Sequence, residues 1–161
     1  MKKEQKTTRT KWNDPEETRD FYDVIDEISS LPEAQQMKQY MQHGSVTTYD
    51  HCMNVAMLSF RLNRSLHIHG REKELLRGAF LHDYFLYDWH DWDGSLHGFH
   101  HAGTALRNAK RDFDLSEREE NIIGSHMWPL NLTRIPRCRE AWIVCLADKI
   151  VSTRETLFNR H

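Results

Sequence analysis

Histidine and aspartate side chains are concentrated in one segment of the chain, residues 81–101. The segment reads LHDYFLYDWHDWDGSLHGFHH and holds five of the eleven histidines together with four aspartates. Imidazole nitrogens and carboxylate oxygens are the donors that bind divalent transition metals in proteins. Here they alternate with Phe, Tyr, Leu and Trp, which indicates that part of the segment is buried. The residue types therefore indicate a metal site within or beside a hydrophobic core.

Helical periodicity places four donor residues on apolar faces. His51 is followed by Val55 and Leu58 at the i+4 and i+7 spacing of a buried stripe. Three further donors share helical faces with aliphatic or aromatic residues in the same way: His82, Asp83 and Asp148. A buried carboxylate without a partner is strongly destabilising, whereas buried imidazole is usually neutral. A divalent metal ion resolves both problems, because it binds neutral imidazole and anionic carboxylate together.

Each of these residues has a simpler interpretation when it is considered alone. A single histidine on an apolar face is more often a hydrogen-bonded core residue than a metal ligand. Asp148 precedes Lys149, so the two are compatible with an ion pair at a helix surface. The combination of donors on successive helices is what favours a metal site.

The elements that must position these residues are predicted to be helices. Thr47 or Thr48 is predicted to cap the third of them, and Ser116 with Glu119 forms a capping box for the sixth. No period-2 run is long enough to predict a sheet. The sequence therefore predicts an all-α, single-domain helical bundle of about six to seven helices over residues 13–161. The predicted helices cover about residues 14–30, 33–42, 49–65, 72–87, 100–112, 116–126 and 138–156, with a loop over 88–99.

Composition narrows the possible partners and location. The 161 residues contain 22 Lys and Arg against 24 Asp and Glu, a net charge of -2, so no overall charge attracts the chain to nucleic acid or to a membrane. Residues 1–12 are locally basic and are expected to form a disordered arm, with nucleic-acid contact as the minor alternative. The three cysteines lie among apolar residues and are expected to be reduced, which favours the cytoplasm.

The motifs around these residues resemble the HD-domain superfamily of metal-dependent phosphohydrolases. The family signature is a histidine, then a His-Asp pair, then an aspartate on successive helices of an all-helical bundle. This sequence has TTYDHCMNVA around His51, GAFLHDYFLYDWH around His82 and Asp83, and CLADKI around Asp148. Where binuclear members carry two more histidines, it has GFHHAGTAL and IIGSHMWPL. The resemblance spans about residues 43–151.

The resemblance implies two metal ions bridged by one carboxylate. His51, His82 and Asp148 would hold the first ion together with Asp83, which would bridge to a second ion. His101 and His126 would hold that second ion, and His100 is the alternative to His101. The ions would be divalent Mn, Fe, Co, Ni or Zn, because histidine-rich sites suit these metals better than magnesium.

The resemblance further implies hydrolysis of a phosphate ester of a small molecule or nucleotide by a metal-activated hydroxide. Asp83 and Lys149 would take part in catalysis, with Lys149 contacting phosphate. Arg134 and Arg137 are additional candidates for binding an anion. A homo-oligomer is compatible with the sequence.

Two branches of the superfamily are not expected. The cyclic-dinucleotide phosphodiesterases carry Ile-Gly-Lys after the His-Asp pair and a Gly-Tyr-Pro motif, whereas this chain has Tyr84-Phe85-Leu86 and no such motif. The alarmone hydrolases carry a Glu-Asp pair that is absent here. Two other functions use similar residues: a mixed-valent di-iron oxygenase of the HD type, and a non-catalytic module that binds nucleotide or metal.

Overall fold

Seven α-helices and one short hairpin make up the computed structural model, which describes residues 15–43, 45–86 and 97–158. The elements of these residues are α1 Pro15–Ser29, α2 Pro32–Gln35, a 3-10 helix Gln36–Gln39, β1 Met41–His43, β2 Val46–Thr47, α3 Thr48–Ser65, α4 Glu72–Leu81, α5 His97–Asp112, α6 Glu117–Ser125 and α7 Arg139–Phe158. The predicted all-α class is confirmed. The predicted arm over 1–12 and residues 88–96 of the predicted loop lie outside the described residues.

Side-chain caps fix the beginnings of the two helices for which the sequence predicted them. Thr47, and not Thr48, caps α3, because its Oγ1 accepts a hydrogen bond from the backbone N–H of Asp50 at 3.1 Å. Ser116 and Glu119 form both hydrogen bonds of the predicted capping box at the start of α6. These bonds satisfy N–H groups that have no acceptor inside the helix.

The predicted helix over 33–42 is wrong in its second half. The chain leaves α2 through the 3-10 helix, and the backbone of Tyr40 is extended. β1 then pairs antiparallel with β2, with Met41 opposite Thr47 and His43 opposite Val46. The carbonyl of Tyr40 accepts from the N–H of Thr48 at 2.8 Å, so this segment bonds to the start of α3 and not along its own helix. Tertiary contact with α3 decides the conformation here.

The predicted fourth helix is also too long, because α4 ends at Leu81 and not at Tyr87. The N–H of Tyr84 bonds back to the carbonyl of Leu81, the N–H of Phe85 bonds to that of Asp83, and Leu86 has a positive φ of 55°. These are the bonds and angles of turns, not of a continuing helix. As a result, the His-Asp pair at 82–83 sits at the end of a helix.

The core is organised around α4, which packs against α1, α3, α6 and α7. Its apolar residues are fully buried, and the turn that follows contributes the buried rings of Tyr84 and Phe85. Cys52 and Cys145 are buried and Cys138 is half-buried, all three as free thiols. Among the described helices, none combines the length and apolar character needed to cross a bilayer.

Gly78 allows α4 and α6 to approach closely. A Cβ atom at this position would lie 2.7 to 2.9 Å from three side-chain atoms of Ile122, including its Cβ. Gly103 of α5 is a contrasting case, since a Cβ atom there would meet only the flexible end of Arg107, at 3.7 Å.

We expect Gly78→Ala to destabilise the protein by about 1–3 kcal/mol, because the added methyl group overpacks the contact between α4 and α6. Gly103→Ala is the matched control and should be neutral or stabilising by up to about 1 kcal/mol, since alanine loses less backbone entropy in a helix. Urea unfolding of both variants measures the difference. Equal effects at the two positions would contradict the assigned role of Gly78.

Candidate metal centre

Five helices bring histidine and aspartate side chains together inside the bundle. Two of these side chains come from the first five residues of helices, three from the one or two residues that follow a helix end, and one from the middle of α7. Taken as whole residues, none is more than 8% exposed. They are the six metal-ligand candidates of the sequence: His51, His82, Asp83, His101, His126 and Asp148.

One group of donors surrounds the Nε2 atoms of His51 and His82. The Oδ1 atom of Asp148 lies 3.3 Å from Nε2 of His51 and 3.6 Å from Nε2 of His82. The Oδ2 atom of Asp83 lies 3.6 Å and 3.4 Å from the same two nitrogens. The donor atoms of His51, His82 and Asp148 all lie within 4.8 Å of one another, close enough to be ligands of one ion, and Oδ2 of Asp83 faces the same two nitrogens.

A second group of donors faces the other oxygen of Asp83. Its Oδ1 atom lies 3.3 Å from Nε2 of His101 and 3.2 Å from Nε2 of His126. The two Nε2 atoms are 3.0 Å apart. The carboxylate of Asp83 thus presents one oxygen to each group of histidines.

Hydrogen bonds at Nδ1 orient two of the histidine rings. His82 Nδ1 donates to the carbonyl of Ala79 at 2.7 Å, and His126 Nδ1 donates to the carbonyl of Ile123 at 2.8 Å. Because a carbonyl only accepts, the proton of each neutral ring is on Nδ1 and the lone pair is on Nε2. Both Nε2 lone pairs point into the cluster, as metal ligation requires.

Residues 48–152 of the chain match the family model of the HD domain. The chain belongs to this family. The match covers more than half of the chain and includes all six donor residues, so the resemblance read from the motifs is confirmed. HD domains are in general metal-dependent phosphohydrolases that bind divalent ions. Comparison with curated proteins and with solved structures gave no match.

Sequence reasoning missed Glu155, which is buried beside the cluster of this HD domain. Its Oε2 atom lies 2.8 Å from Nδ1 of His51, and its Oε1 atom accepts from Nδ2 of Asn54 at 3.0 Å. A signal was available, because Glu155 follows Asp148 by seven residues and so shares its face of α7. This spacing would have placed both carboxylates on the same side of the helix.

Gln42 is the second residue that sequence reasoning missed. Its Nε2 donates to Oδ2 of Asp83 at 2.7 Å, and its Oε1 is within 3.4 Å of the Thr48 hydroxyl. Gln42 reaches the cluster because β1 folds back over the start of α3. The predicted helix at this position gave no signal for that contact.

The charges within the cluster perturb one another. Burial alone would raise the pKa of Asp83 and of Asp148, but the facing imidazoles hold both pKa values well below the usual range. Burial alone would lower the pKa of His51, but the carboxylates of Asp148 and Glu155 raise it to about 10. The pKa of His82 is also raised, chiefly by Asp83, against the effect of its burial. In the metal-free cluster, protons on imidazole therefore compensate the carboxylates.

The donor set fits a divalent transition metal. Three carboxylates are buried in the cluster and neutral imidazoles carry no charge, so the cluster needs positive charge, either from protons on imidazole or from a bound cation. Nε2 of His82 is fully buried and has no hydrogen-bond partner among the described residues. Burial lowers the pKa of His126, which favours the neutral imidazole that a metal needs. Mixed nitrogen and oxygen donors of this kind suit Mn, Fe, Co, Ni or Zn.

The structure distinguishes the two adjacent histidines of α5. His101 is buried and its Nε2 faces Asp83, whereas His100 is exposed. The helix begins at His97, earlier than predicted, and places the two rings on different faces.

The residues expected to contact a substrate lie at the edge of the cluster or away from it. Lys149 Nζ donates to the carbonyls of His126 and Cys145, each at 3.1 Å, and so is directed at the backbone beside the ligand candidates. Arg134 and Arg137 are exposed on the connection between α6 and α7.

Metal binding is expected to release protons. Since the pKa of His51 is raised to about 10, its imidazole is protonated at neutral pH in the metal-free protein and must lose that proton to act as a ligand. We expect release of about one or two protons per protein and an apparent affinity that keeps rising with pH up to about pH 10, the pKa of His51, as protons compete less well.

Calorimetric titration with Zn²⁺ in buffers of different ionisation enthalpy measures the number of released protons. The exposed His69→Ala variant is the control and should release the same number as the unaltered protein. An affinity that is independent of pH would contradict the assignment of these histidines as ligands.

Proposed function

We propose that this HD domain is a metal-dependent phosphohydrolase that acts on a phosphate ester of a small molecule or nucleotide. The observation that carries the proposal is the carboxylate of Asp83, whose two oxygens face two separate pairs of histidines at 3.2 to 3.6 Å. A bridging carboxylate between two histidine-rich groups is suited to holding two ions side by side.

The six donor residues divide between two ions in this proposal. His51, His82 and Asp148 would hold the first with Oδ2 of Asp83. His101 and His126 would hold the second with Oδ1 of Asp83. Bound divalent ions would lower the pKa of a coordinated water and offset charge on phosphoryl oxygens.

The side chains themselves define where a phosphate approaches. The side chains of His101 and Asp148 are 10% and 11% exposed, whereas those of His51, His82 and His126 are fully buried. The accessible edge of the cluster therefore lies between α5 and α7, and we place the substrate phosphate there. The buried rings behind it exclude water from the other sides.

Lys149 and two arginines are proposed to assist binding of the anion. Lys149 is exposed on α7 directly after Asp148. Its Nζ already bonds to the backbone carbonyl of His126, so it holds this ligand candidate in place and adds positive charge beside the edge. Arg134 and Arg137 carry exposed guanidinium groups on the neighbouring connection, and these could extend the anion site for a nucleotide.

Replacement of the bridging carboxylate should abolish hydrolysis. We expect Asp83→Asn to lower phosphatase or phosphodiesterase activity by at least about 100-fold, because the amide cannot bridge two cations with two anionic oxygens. The measurement is elemental analysis, followed by a screen of phosphate monoesters and diesters with the identified metal restored. Asp23→Asn, on the exposed side of α1, is the matched control.

Three results would overturn the proposal. The first is unaltered activity of Asp83→Asn, and the second is a purified protein that takes up no divalent ion. The third is obligatory iron with oxygen consumption and no phosphate release, which would identify an oxygenase. Tight ligand binding without turnover, with every metal tested, would indicate a non-catalytic module.

The two adjacent histidines of α5 provide a separate test of the second ion. His101→Ala should reduce the stoichiometry from two ions to one, because it removes one of two nitrogens from that group. His100→Ala should leave two ions bound, since His100 is exposed. Elemental analysis after removal of loosely bound metal counts the ions. Loss of an ion in His100→Ala and not in His101→Ala would reverse the assignment.

A further inference from the structure

Glu155 lies beside the candidate metal centre but outside the part of the chain that matches the family. The match ends at residue 152, and Glu155 is located one turn further along α7. It is only 7% exposed, and its carboxylate contacts two residues of α3, His51 and Asn54. A buried carboxylate at this position is therefore a property of this chain that the family assignment does not explain.

Both oxygens of Glu155 are engaged, so the carboxylate is fixed in direction. Oε1 accepts from Nδ2 of Asn54 at 3.0 Å, and Oε2 accepts from Nδ1 of His51 at 2.8 Å. Asn54 and His51 are three residues apart and lie on the same face of α3. The carboxylate of Glu155 therefore forms hydrogen bonds to two residues of a single turn of α3.

Contact with a carboxylate distinguishes His51 from two other histidines of the cluster. Nδ1 of His82 and Nδ1 of His126 both donate to neutral backbone carbonyls, whereas Nδ1 of His51 donates to an anion. A carboxylate acceptor fixes the proton on Nδ1, leaves the lone pair on Nε2, and makes the imidazole a more basic ligand. Nε2 of His51 is the atom that faces Asp148 and Asp83.

We propose that Glu155 is a positioning residue of the metal centre, which sets the tautomer, orientation and basicity of His51 for the first ion. The inference rests on the proposed metal-dependent function. Glu155 itself does not contact the ion or the substrate. It acts through the imidazole of His51, and the hydrogen bond from Asn54 keeps the carboxylate of Glu155 in its orientation.

Metal affinity separates this role from a purely structural contact between α3 and α7. We expect the Glu155→Gln variant to bind the more tightly held of the two Co²⁺ ions about 10-fold more weakly than the unaltered protein. The amide oxygen still accepts from Nδ1 of His51 but carries no charge. Glu155→Ala should bind the same ion about 100-fold more weakly, because the acceptor is also lost. Asn54→Ala should have a smaller effect than Glu155→Gln. Competition with a chelator, using the full chain, measures the affinities.

Glu140→Gln is the matched control, because Glu140 is another buried glutamate of α7. Its carboxylate bonds to Arg118 and to the backbone N–H of Arg71, at the opposite end of the helix from Glu155. This variant should lower the thermal stability and leave the Co²⁺ affinity unchanged. A loss of affinity equal to that of Glu155→Gln would assign the effect to general destabilisation and overturn the proposal.

Nitrogen-15 NMR of the Zn²⁺-loaded protein gives a second readout. The Nδ1 proton of His51 should be observed in a strong hydrogen bond in the unaltered protein, and its resonance should shift in Glu155→Gln. If Glu155→Ala fails to fold, the glutamine variant still provides both measurements. An unchanged Co²⁺ affinity and an unchanged His51 resonance in a folded glutamine variant would overturn the inference.

The test distinguishes this inference from the proposed function. If the protein binds Co²⁺ with the expected dependence on Glu155 but releases phosphate from no substrate, the hydrolase proposal fails and the role of Glu155 stands. If the protein binds metal and hydrolyses a phosphate ester without any dependence on Glu155, only the positioning role fails. A protein that binds no Co²⁺ would overturn both.

Discussion

The three buried carboxylates of the candidate metal centre determine where the helices around it must meet. Asp83, Asp148 and Glu155 are each less than 8% exposed, and the free energy lost in removing an ionised carboxylate from water is recovered only with close positive or hydrogen-bonding partners. The partners here are imidazoles and side-chain amides, and a bound cation would be a further one. The helices have to converge on one point because the compensation acts over only a few ångströms.

At the ends of α4 and α6, the same kind of hydrogen bond orients a histidine ring toward the carboxylates. The carbonyls of Ala79 and Ile123 lie in the last turns of α4 and α6, where no further helical N–H group is available to them. Nδ1 of His82 and Nδ1 of His126 supply the missing donors. One bond therefore satisfies a helix end and directs a ring toward the cluster.

The close approach of α4 and α6 connects the core to the centre. Gly78 and Ile122 are in contact. Gly78 directly precedes Ala79, whose carbonyl orients His82, and Ile122 directly precedes Ile123, whose carbonyl orients His126. The rings of His82 and His126 consequently meet with centroids 4.8 Å apart. The two groups of donors remain unequal. The first includes a histidine backed by Glu155 within the core, and the second includes His101 at the accessible edge. Each group also has one donor at the accessible edge of the cluster, Asp148 in the first and His101 in the second.

The sequence by itself determined the helical class and placed four candidate donors on apolar faces, because both depend on local spacing along single helices: His51, His82, Asp83 and Asp148. The resemblance to the HD family added His126 and either His100 or His101 as candidates. Periodicity placed His51 and Asp148 on buried faces without any knowledge of the other helices. The local hydrogen bonds of Ser116 and Glu119 likewise fixed the start of α6. Tertiary structure alone decided the hairpin that brings Gln42 to Asp83, the end of α4 at Leu81, and the burial of His101 beside an exposed His100. Each of these depends on a contact between segments far apart in the chain, which local propensity does not encode. The same reason explains Glu155, whose place on α7 could be read from spacing but whose partner, His51, lies 104 residues away.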